Sequence, residues 1–152
     1  MKATFTCPIC GFDGLEEPPR SPSGGGRYEY CPSCDFQFGV TDDDNGFSDA
    51  AWRWLWIARG APWSHHPDAP QPTGRDPAAQ LTRLGFDARQ RRLRSFRPRA
   101  QVRLKEPWSG WGLPAGATGQ VATCRDDVPV YRVHLVAAPS TLFTVADEDL
   151  HG

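Results

Sequence analysis

Four of the five cysteines in the chain lie close together in two pairs of the form C-P-x-C. They are Cys7, Cys10, Cys31 and Cys34. A thiolate can act as a nucleophile, a redox centre or a soft metal ligand, so two such pairs could form disulfides, a redox device or a metal site. The spacing of the cysteines discriminates among these three chemistries.

The spacing favours a metal site. Two residues separate the cysteines of each pair, and twenty residues lie between Cys10 and Cys31. A C-x2-C pair followed at this distance by a second C-x2-C pair is typical of zinc ribbons, in which two tight turns direct four thiolates at one ion. Because four thiolates complete a tetrahedron and leave no position for water or substrate, we expect one structural Zn²⁺. A thioredoxin-like redox pair does not explain the second pair and lacks its βαβ context.

Two turns must position these thiols. Proline follows the first cysteine of each pair and presets one turn dihedral, and Gly11 can take the positive φ that such a turn needs. Asp35 occupies the equivalent place in the second turn and tolerates this conformation less easily than glycine does. The stretches "RYEYC" and "DFQFGV" alternate apolar and polar residues on either side of the second turn, which predicts two short strands.

An acidic segment, "TDDDNGF", follows the second pair and resembles a calcium-binding loop in part. If Gly46 takes the sixth loop position, Thr41 and Trp52 take positions one and twelve, where calcium requires oxygen ligands and above all carboxylates. The sequence therefore predicts a solvated acidic turn and no calcium site.

Two helices are predicted after this turn. Ser48 is a suitable N-cap for a first helix that ends at Gly60. Tryptophan and aliphatic residues occupy most of its circumference, so we expect it to be buried between two elements. A second, short helix is predicted over residues 77–84, with Asp76 as its N-cap.

The order of these motifs resembles the bacterial cysteine-rich CPCC-type zinc-ribbon family. The resemblance covers roughly residues 1–84 and rests on "CPICGFDGLEEPPRS", "YEYCPSCDFQFGVTDDD", "WIARGAPW" and "GRDPAAQLTRL". It implies a zinc ribbon that binds one metal ion, and it implies no catalytic activity. Some members of that family are candidate immunity proteins of polymorphic toxin systems, which implies a protein partner.

The last third of the chain has a different pattern. Four β-rich runs, "QVRLKEP", "ATGQVATCR", "VYRVHLVAA" and "TLFTV", are separated by turn residues. Short strands at this spacing predict a small barrel, and the segment is similar to SH3-like barrels of unknown function in small bacterial proteins and, more loosely, to KOW-type barrels. We therefore predict an α+β chain with a zinc-ribbon domain over residues 1–84, an arginine-rich linker or helix over 85–99, and an SH3-like β-barrel over 100–152.

Charge is distributed unevenly, although the net charge is only −1. Residues 1–50 hold nine acids and three bases, residues 83–105 hold nine bases and one acid, and residues 106–152 hold six acids and two bases. Six arginines surround Phe96 within residues 89–99, as in a segment that contacts phosphates. The alternative is an arginine-rich connector that is solvated or pairs with the acidic parts on either side, and the pI of about 6.4 favours it.

The sequence contains no nucleophile motif, catalytic carboxylate pair, open metal position or phosphate loop, so we expect no enzyme. It also has no signal-like or membrane-spanning apolar run, so we expect a cytoplasmic protein with no membrane partner. The leading hypothesis is a protein-binding module, most specifically an immunity protein whose acidic surface meets a cognate toxin. The alternative is a nucleic-acid-associated zinc-ribbon protein of transcription or translation. The residues predicted to contact a partner are Asp42, Asp43, Asp44, Trp63, Arg91, Arg92 and Arg94.

Overall fold

The computed structural model describes residues 3–22, 25–64, 69–87, 95–125 and 128–152. The helices are α1 (Asp49–Ala58) and α2 (Pro77–Arg83), and the strands are β1 (Gln101–Leu104), β2 (Thr118–Cys124), β3 (Val130–Leu135), β4 (Ala138–Ala146) and β5 (Leu150–His151). These elements confirm the predicted α+β class. None of the helices in the described ranges is long and apolar enough to cross a membrane.

Both predicted helices are confirmed, together with their caps. Ser48 accepts a hydrogen bond from the backbone N–H of Ala51, and α1 ends just before Gly60, whose φ is +91°. The carboxylate of Asp76 accepts hydrogen bonds from the first two free amides of α2. The signals that fix these ends lie within three residues of each boundary, which is why the sequence sufficed to predict them.

The five strands form one antiparallel sheet in the order β4-β3-β2-β1-β5. β4 and β5 lie at opposite edges, and no ladder between described residues joins them, so the sheet is open and the predicted barrel closure is wrong. The reason is that another segment occupies the free edge of β4. Thr144 donates to the carbonyl of Gly46 at 2.8 Å, and Ser48 donates to the carbonyl of Thr144 at 2.9 Å.

The two short strands predicted around the second cysteine pair are also wrong. Tyr30 and Gln37 form an isolated bridge there, and backbone hydrogen bonds join Tyr28 and Glu29 to Phe38, but the described residues form no regular strand at this place. The chain turns directly after Gln37, whose carbonyl accepts from the amides of Val40 and Thr41. The hydroxyl of Thr41 in turn accepts from the amide of Gln37 at 3.0 Å. These local bonds compete with strand pairing.

Helix α1 lies between two apolar cores. On one side, Trp56 joins the buried residues that surround the cysteines, among them Ile9 and Phe36. On the other side, Trp54 packs with Val130 at the end of the sheet. The expectation that this helix is buried between two elements is confirmed, and it joins the cysteine region (described residues up to 87) to the sheet region (residues 95–152).

The sheet has its own core on one face. Its buried members are Val102, Leu104, Leu113, Val121, Tyr131, Val133, Leu135, Phe143, Val145 and Leu150. Trp108 and Trp111 pack edge-on against Phe143 from the loop between β1 and β2, with ring centroids 5.3 and 4.9 Å away. Cys124 is half-buried and packs against this core as a small apolar side chain.

Candidate metal centre

Each cysteine pair lies on a tight turn that is closed by the same two backbone hydrogen bonds. In the first turn, Gly11 donates to the carbonyl of Cys7 at 2.9 Å, and Cys7 donates to the carbonyl of Phe12 at 2.7 Å. In the second turn, Asp35 donates to the carbonyl of Cys31 at 2.8 Å, and Cys31 donates to the carbonyl of Phe36 at 3.0 Å. The two turns are therefore copies of one local structure, and each presents two thiols.

The positive φ predicted at the end of each turn is confirmed. Gly11 has a φ of +82° and Asp35 a φ of +66°. Gly11 is needed for a second reason, because a Cβ at this position would lie 1.8 Å from the backbone oxygen of Gln80 in α2. The first turn can therefore approach α2 only if it ends in glycine.

The four thiols meet in one buried cluster. Their sulfur atoms all lie within 4.8 Å of one another, and the Sγ–Sγ distances are 3.9 Å for Cys7 and Cys34 and 3.6 Å for Cys10 and Cys31. A disulfide needs about 2.05 Å, so these cysteines are free thiols. In a tetrahedral site with metal–sulfur bonds of about 2.3 Å, sulfur atoms lie about 3.8 Å apart. The cluster fits one tetrahedrally bound metal ion, as the sequence predicted.

The protonation chemistry of the cluster also suits a cation. Burial raises the pKa of Cys7 and of Cys34 well above that of an ordinary thiol. Hydrogen bonds from the other three thiols, that of Cys31 first, lower the pKa of Cys10. Several thiolates can coexist at such a buried place only when a positive charge compensates them, and metal binding displaces the thiol protons.

Two arginines from the helices hold the first turn from outside. Arg53 of α1 donates to the carbonyls of Ile9 and Pro8 at 2.6 and 2.9 Å. Arg83 of α2 donates to the carbonyl of Gly11 at 2.6 Å. These guanidinium groups satisfy turn carbonyls and place positive charge beside a cluster whose metal-bound form carries excess negative charge.

The second turn is held in a similar way. The indole N–H of Trp52 donates to the carbonyl of Cys34 at 2.8 Å. The side-chain amide of Gln80 donates to the buried hydroxyl of Ser33 at 3.0 Å. Sequence reasoning did not assign any of these supporting residues. Arg53 alone left a signal, since it is the one basic residue in a helix that is apolar after Asp49.

The acidic turn is organised around Arg20, which sequence reasoning also missed. Its guanidinium pairs with Asp42 at 2.8 Å and with Asp49 at 2.7 Å. Burial lowers the pKa of Arg20, but the two carboxylates, Asp49 first, more than offset this and raise it. Asp42 is only 4% exposed, so the expectation of a solvated turn is wrong for this residue. Asp43 is half-buried, and Asp44 is exposed.

Trp63, a predicted partner contact, is buried within the cysteine region. Its ring meets that of Phe12 edge-on at 5.3 Å, and the guanidinium of Arg75 lies 5.6 Å from its centre. A contact of Trp63 with a partner stays a prediction, and only 7% of the residue is exposed to make it. Three further predicted partner contacts, Arg91, Arg92 and Arg94, lie outside the described ranges.

A cleft of about 320 Å³ lies between the acidic turn and the sheet region. Its charged lining consists of Arg20, Asp42, Asp43, Asp49, Glu106 and Asp149. Trp108 forms part of its apolar lining. Burial raises the pKa of Asp149, whose carboxylate accepts from the hydroxyl of Ser48 at 2.5 Å. We call this feature the acidic cleft.

The fold and the cluster together define a two-region α+β protein with a candidate four-cysteine metal centre. The uncharacterized protein YozI of Bacillus subtilis (strain 168) is 33% identical over 86 residues, in an alignment that covers 47% of this chain and 71% of YozI. The chain therefore belongs to the same family as YozI. No family model matches the chain, and no solved structure matches it. The resemblance to CPCC-type zinc ribbons stays a prediction.

Proposed function

We propose that the chain is a zinc-stabilised protein-binding module without catalytic activity. The observation that carries the metal assignment is the set of four buried cysteine sulfurs within 4.8 Å of one another. Tetrahedral sites of four sulfurs select zinc or iron, and zinc is the usual ion of paired C-x2-C turns. With four protein ligands, the ion has no open position, so its contribution is to fold the cysteine region.

The metal assignment can be tested on purified protein prepared without chelator. We expect about one equivalent of zinc per chain in elemental analysis and a colourless protein. Cys31→Ser should lose the metal, whereas Cys124→Ser should keep it, because Cys124 lies in the sheet core. A metal-free wild type would contradict the proposal. Visible absorption from an iron–thiolate centre would show that the bound ion is iron and not zinc.

The protein-binding role is supported by the placement of acidic groups. The turn that carries Asp43 and Asp44 borders the acidic cleft, where Glu106 faces it from the sheet region. Concentrated negative charge speeds encounter with a basic partner and selects against acidic ones. A basic toxin is a partner of this kind, and neutralisation of such a toxin is the specific form of the proposal.

This role can be tested with a partner that is captured by cross-linking in cells and then purified. We expect Asp43→Asn with Asp44→Asn to weaken binding and to reduce its dependence on salt. Glu16→Gln with Glu17→Gln removes the same charge from an exposed site elsewhere in the cysteine region and should leave binding intact. Equal losses in the two double variants would reject the acidic turn as the binding surface.

A further inference from the structure

The two faces of the sheet differ in chemistry. Side chains alternate along each strand, and paired residues on neighbouring strands share a face. Besides Val130 and Ala146 at one end, the face opposite the apolar core is formed by Gln101, Arg103, Thr118, Gln120, Thr123, Arg132, His134, Leu142, Thr144 and His151. We call it the polar face. Helix α1 covers only the end of the sheet near Val130 and Ala146, so most of the polar face is open to solvent.

The polar face carries positive charge and no acid. Arg103 on β1 and Arg132 on β3 are both exposed, and no residue that the strand register places on this face is Asp or Glu. Among the described residues, the guanidinium of Arg132 has no hydrogen bond or ion pair, and that of Arg103 has one hydrogen bond, to the carbonyl of Gly152 at 3.3 Å. These arginines are therefore available to an external anion.

Neighbouring residues extend this surface. Arg99 is exposed just before β1, and its carbonyl accepts a hydrogen bond from the side-chain amide of Gln120 at 3.1 Å. This bond places the Arg99 backbone beside the polar face. Gln120 is paired on one side with Gln101 and on the other with His134, which forms a row of hydrogen-bonding side chains across three strands.

We propose that the polar face binds the sugar–phosphate backbone of a nucleic acid. Arginine binds phosphate oxygens with two parallel hydrogen bonds, and amide and imidazole groups supplement such contacts. Arg103 and Arg132 stand two strands apart, about 10 Å across the sheet. Their partners on β2, Thr118 and Thr123, lie five residues apart along the strand, so the two arginines reach different phosphates. The register puts no Phe, Tyr or Trp on the polar face, and this favours sequence-independent contact with the nucleic-acid backbone as the mode of binding.

This inference goes beyond the proposed function and depends on a different surface. The acidic cleft is lined by the turn around Asp43 and by the loop that carries Trp108, which packs on the apolar side of the sheet. The polar face is the opposite side. Loss of one activity therefore leaves the other measurable in the same protein.

The test is fluorescence anisotropy with labelled duplex DNA, single-stranded DNA and single-stranded RNA of one sequence, at about 50 and 200 mM salt. We expect the wild type to bind these probes with dissociation constants of roughly 10⁻⁴–10⁻⁶ M at physiological salt, and more tightly at low salt. Arg103→Gln with Arg132→Gln should weaken binding at low salt by about tenfold and lower the slope of log K against log salt by about 2.

A matched control removes the same charge elsewhere. Arg27→Gln with Arg59→Gln changes two exposed arginines of the cysteine region and should retain both the affinity and the salt slope of the wild type. Equal losses in the two double variants, or no binding by the wild type at low salt, would overturn the proposal. The proposal would also be overturned if the triple variant Arg91→Ala, Arg92→Ala, Arg94→Ala lost binding while the double variant Arg103→Gln, Arg132→Gln bound fully. The arginine-rich segment would then be the binding surface. Equal binding to anionic lipid vesicles would also reject nucleic acid as the specific ligand.

Discussion

The cysteine region and the sheet region are stabilised by different means. Up to the start of α1, the described residues of the cysteine region pair their backbone mainly in turns and isolated bridges, such as the one between Phe5 and Leu15. The sheet region has four antiparallel ladders over a continuous apolar core. Because the cysteine region is small and poor in regular structure, it needs a bound metal or a covalent cross-link to be stable. The sheet region does not. The contrast shows why four thiols are grouped in one part of the chain only.

The largest expected effect follows directly from this contrast. Removal of the metal, by a chelator or by Cys31→Ser, should unfold the cysteine region, because structural zinc contributes roughly 10–16 kcal/mol of apparent binding free energy at neutral pH. The sheet should keep its far-ultraviolet circular dichroism, while the near-ultraviolet signal of the α1 tryptophans decreases. Cys124→Ser provides the control with the metal site intact. Simultaneous loss of the sheet signal would show that the two regions fold as one unit.

The cysteine centre was predictable because its geometry is local. Two residues between ligands fix the turn, and the αL position falls at Gly11 and Asp35 as the spacing requires. The helix caps at Ser48 and Asp76 are equally local. Each of these signals lies within about four residues of the feature that it specifies, so tertiary context had little chance to override it.

The features that were missed depend on distant parts of the chain. Arg20 pairs with carboxylates 22 and 29 residues further on, and the sequence near it carries no sign of either pairing. The predicted barrel failed to close because residues 46–48 occupy the edge of β4. Alternation within β4 shows that a strand exists but cannot show which segment pairs with its edge.

The next largest effect is expected at the contact between the first turn and α2. Gly11→Ala would place a Cβ 1.8 Å from the backbone oxygen of Gln80 and would also strain a φ of +82°. Strain and overpacking together predict a loss of about 2–5 kcal/mol in the free energy of unfolding, measured by denaturant titration. Gly85→Ala shares the positive φ but meets no atom within 4 Å, so it should lose only the strain contribution of about 1–2 kcal/mol. Equal losses would contradict the close packing of the turn against α2.

A smaller effect is expected in the sheet region, at Tyr131. Its phenol donates to Asp147 at 2.7 Å and accepts from the amides of Ser95 and Phe96. Tyr131→Phe should cost about 1–3 kcal/mol, because polar groups around the lost hydroxyl are left without this partner. The metal content should not change, since the residue belongs to the other region. A loss of metal in this variant would contradict the separation of the two cores.

The same residue predicts a pH dependence. Burial, followed by the hydrogen bond to Asp147, raises the pKa of Tyr131 to about 12 from the ordinary value of 10.0. The folded state therefore favours the protonated phenol, so this contribution to stability is complete below about pH 10 and is lost as the pH rises from 10 to 12. The wild type and Tyr131→Phe should therefore differ less and less in their free energy of unfolding as the pH rises from 10 to 12. A difference that stays constant over this range would contradict the raised pKa of Tyr131.

The smallest effect distinguishes the two cysteine turns from each other. They share their hydrogen bonds, but the second turn ends in Asp35, at a φ of +66°, where the first ends in glycine. Asp35→Gly should relieve left-handed backbone strain of about 1–2 kcal/mol. It should also lose about 0.4–1 kcal/mol because glycine gives the unfolded chain more freedom. The free energy of unfolding should therefore rise by up to about 1 kcal/mol. Asp35→Ala keeps the positive φ with a residue that adopts the left-handed region less readily than aspartate, so it should be less stable than wild type. Denaturant titration of the zinc-loaded proteins separates the three. If the glycine variant were the least stable, the side chain of Asp35 would contribute a stabilising interaction larger than the strain, and the two turns would not be equivalent.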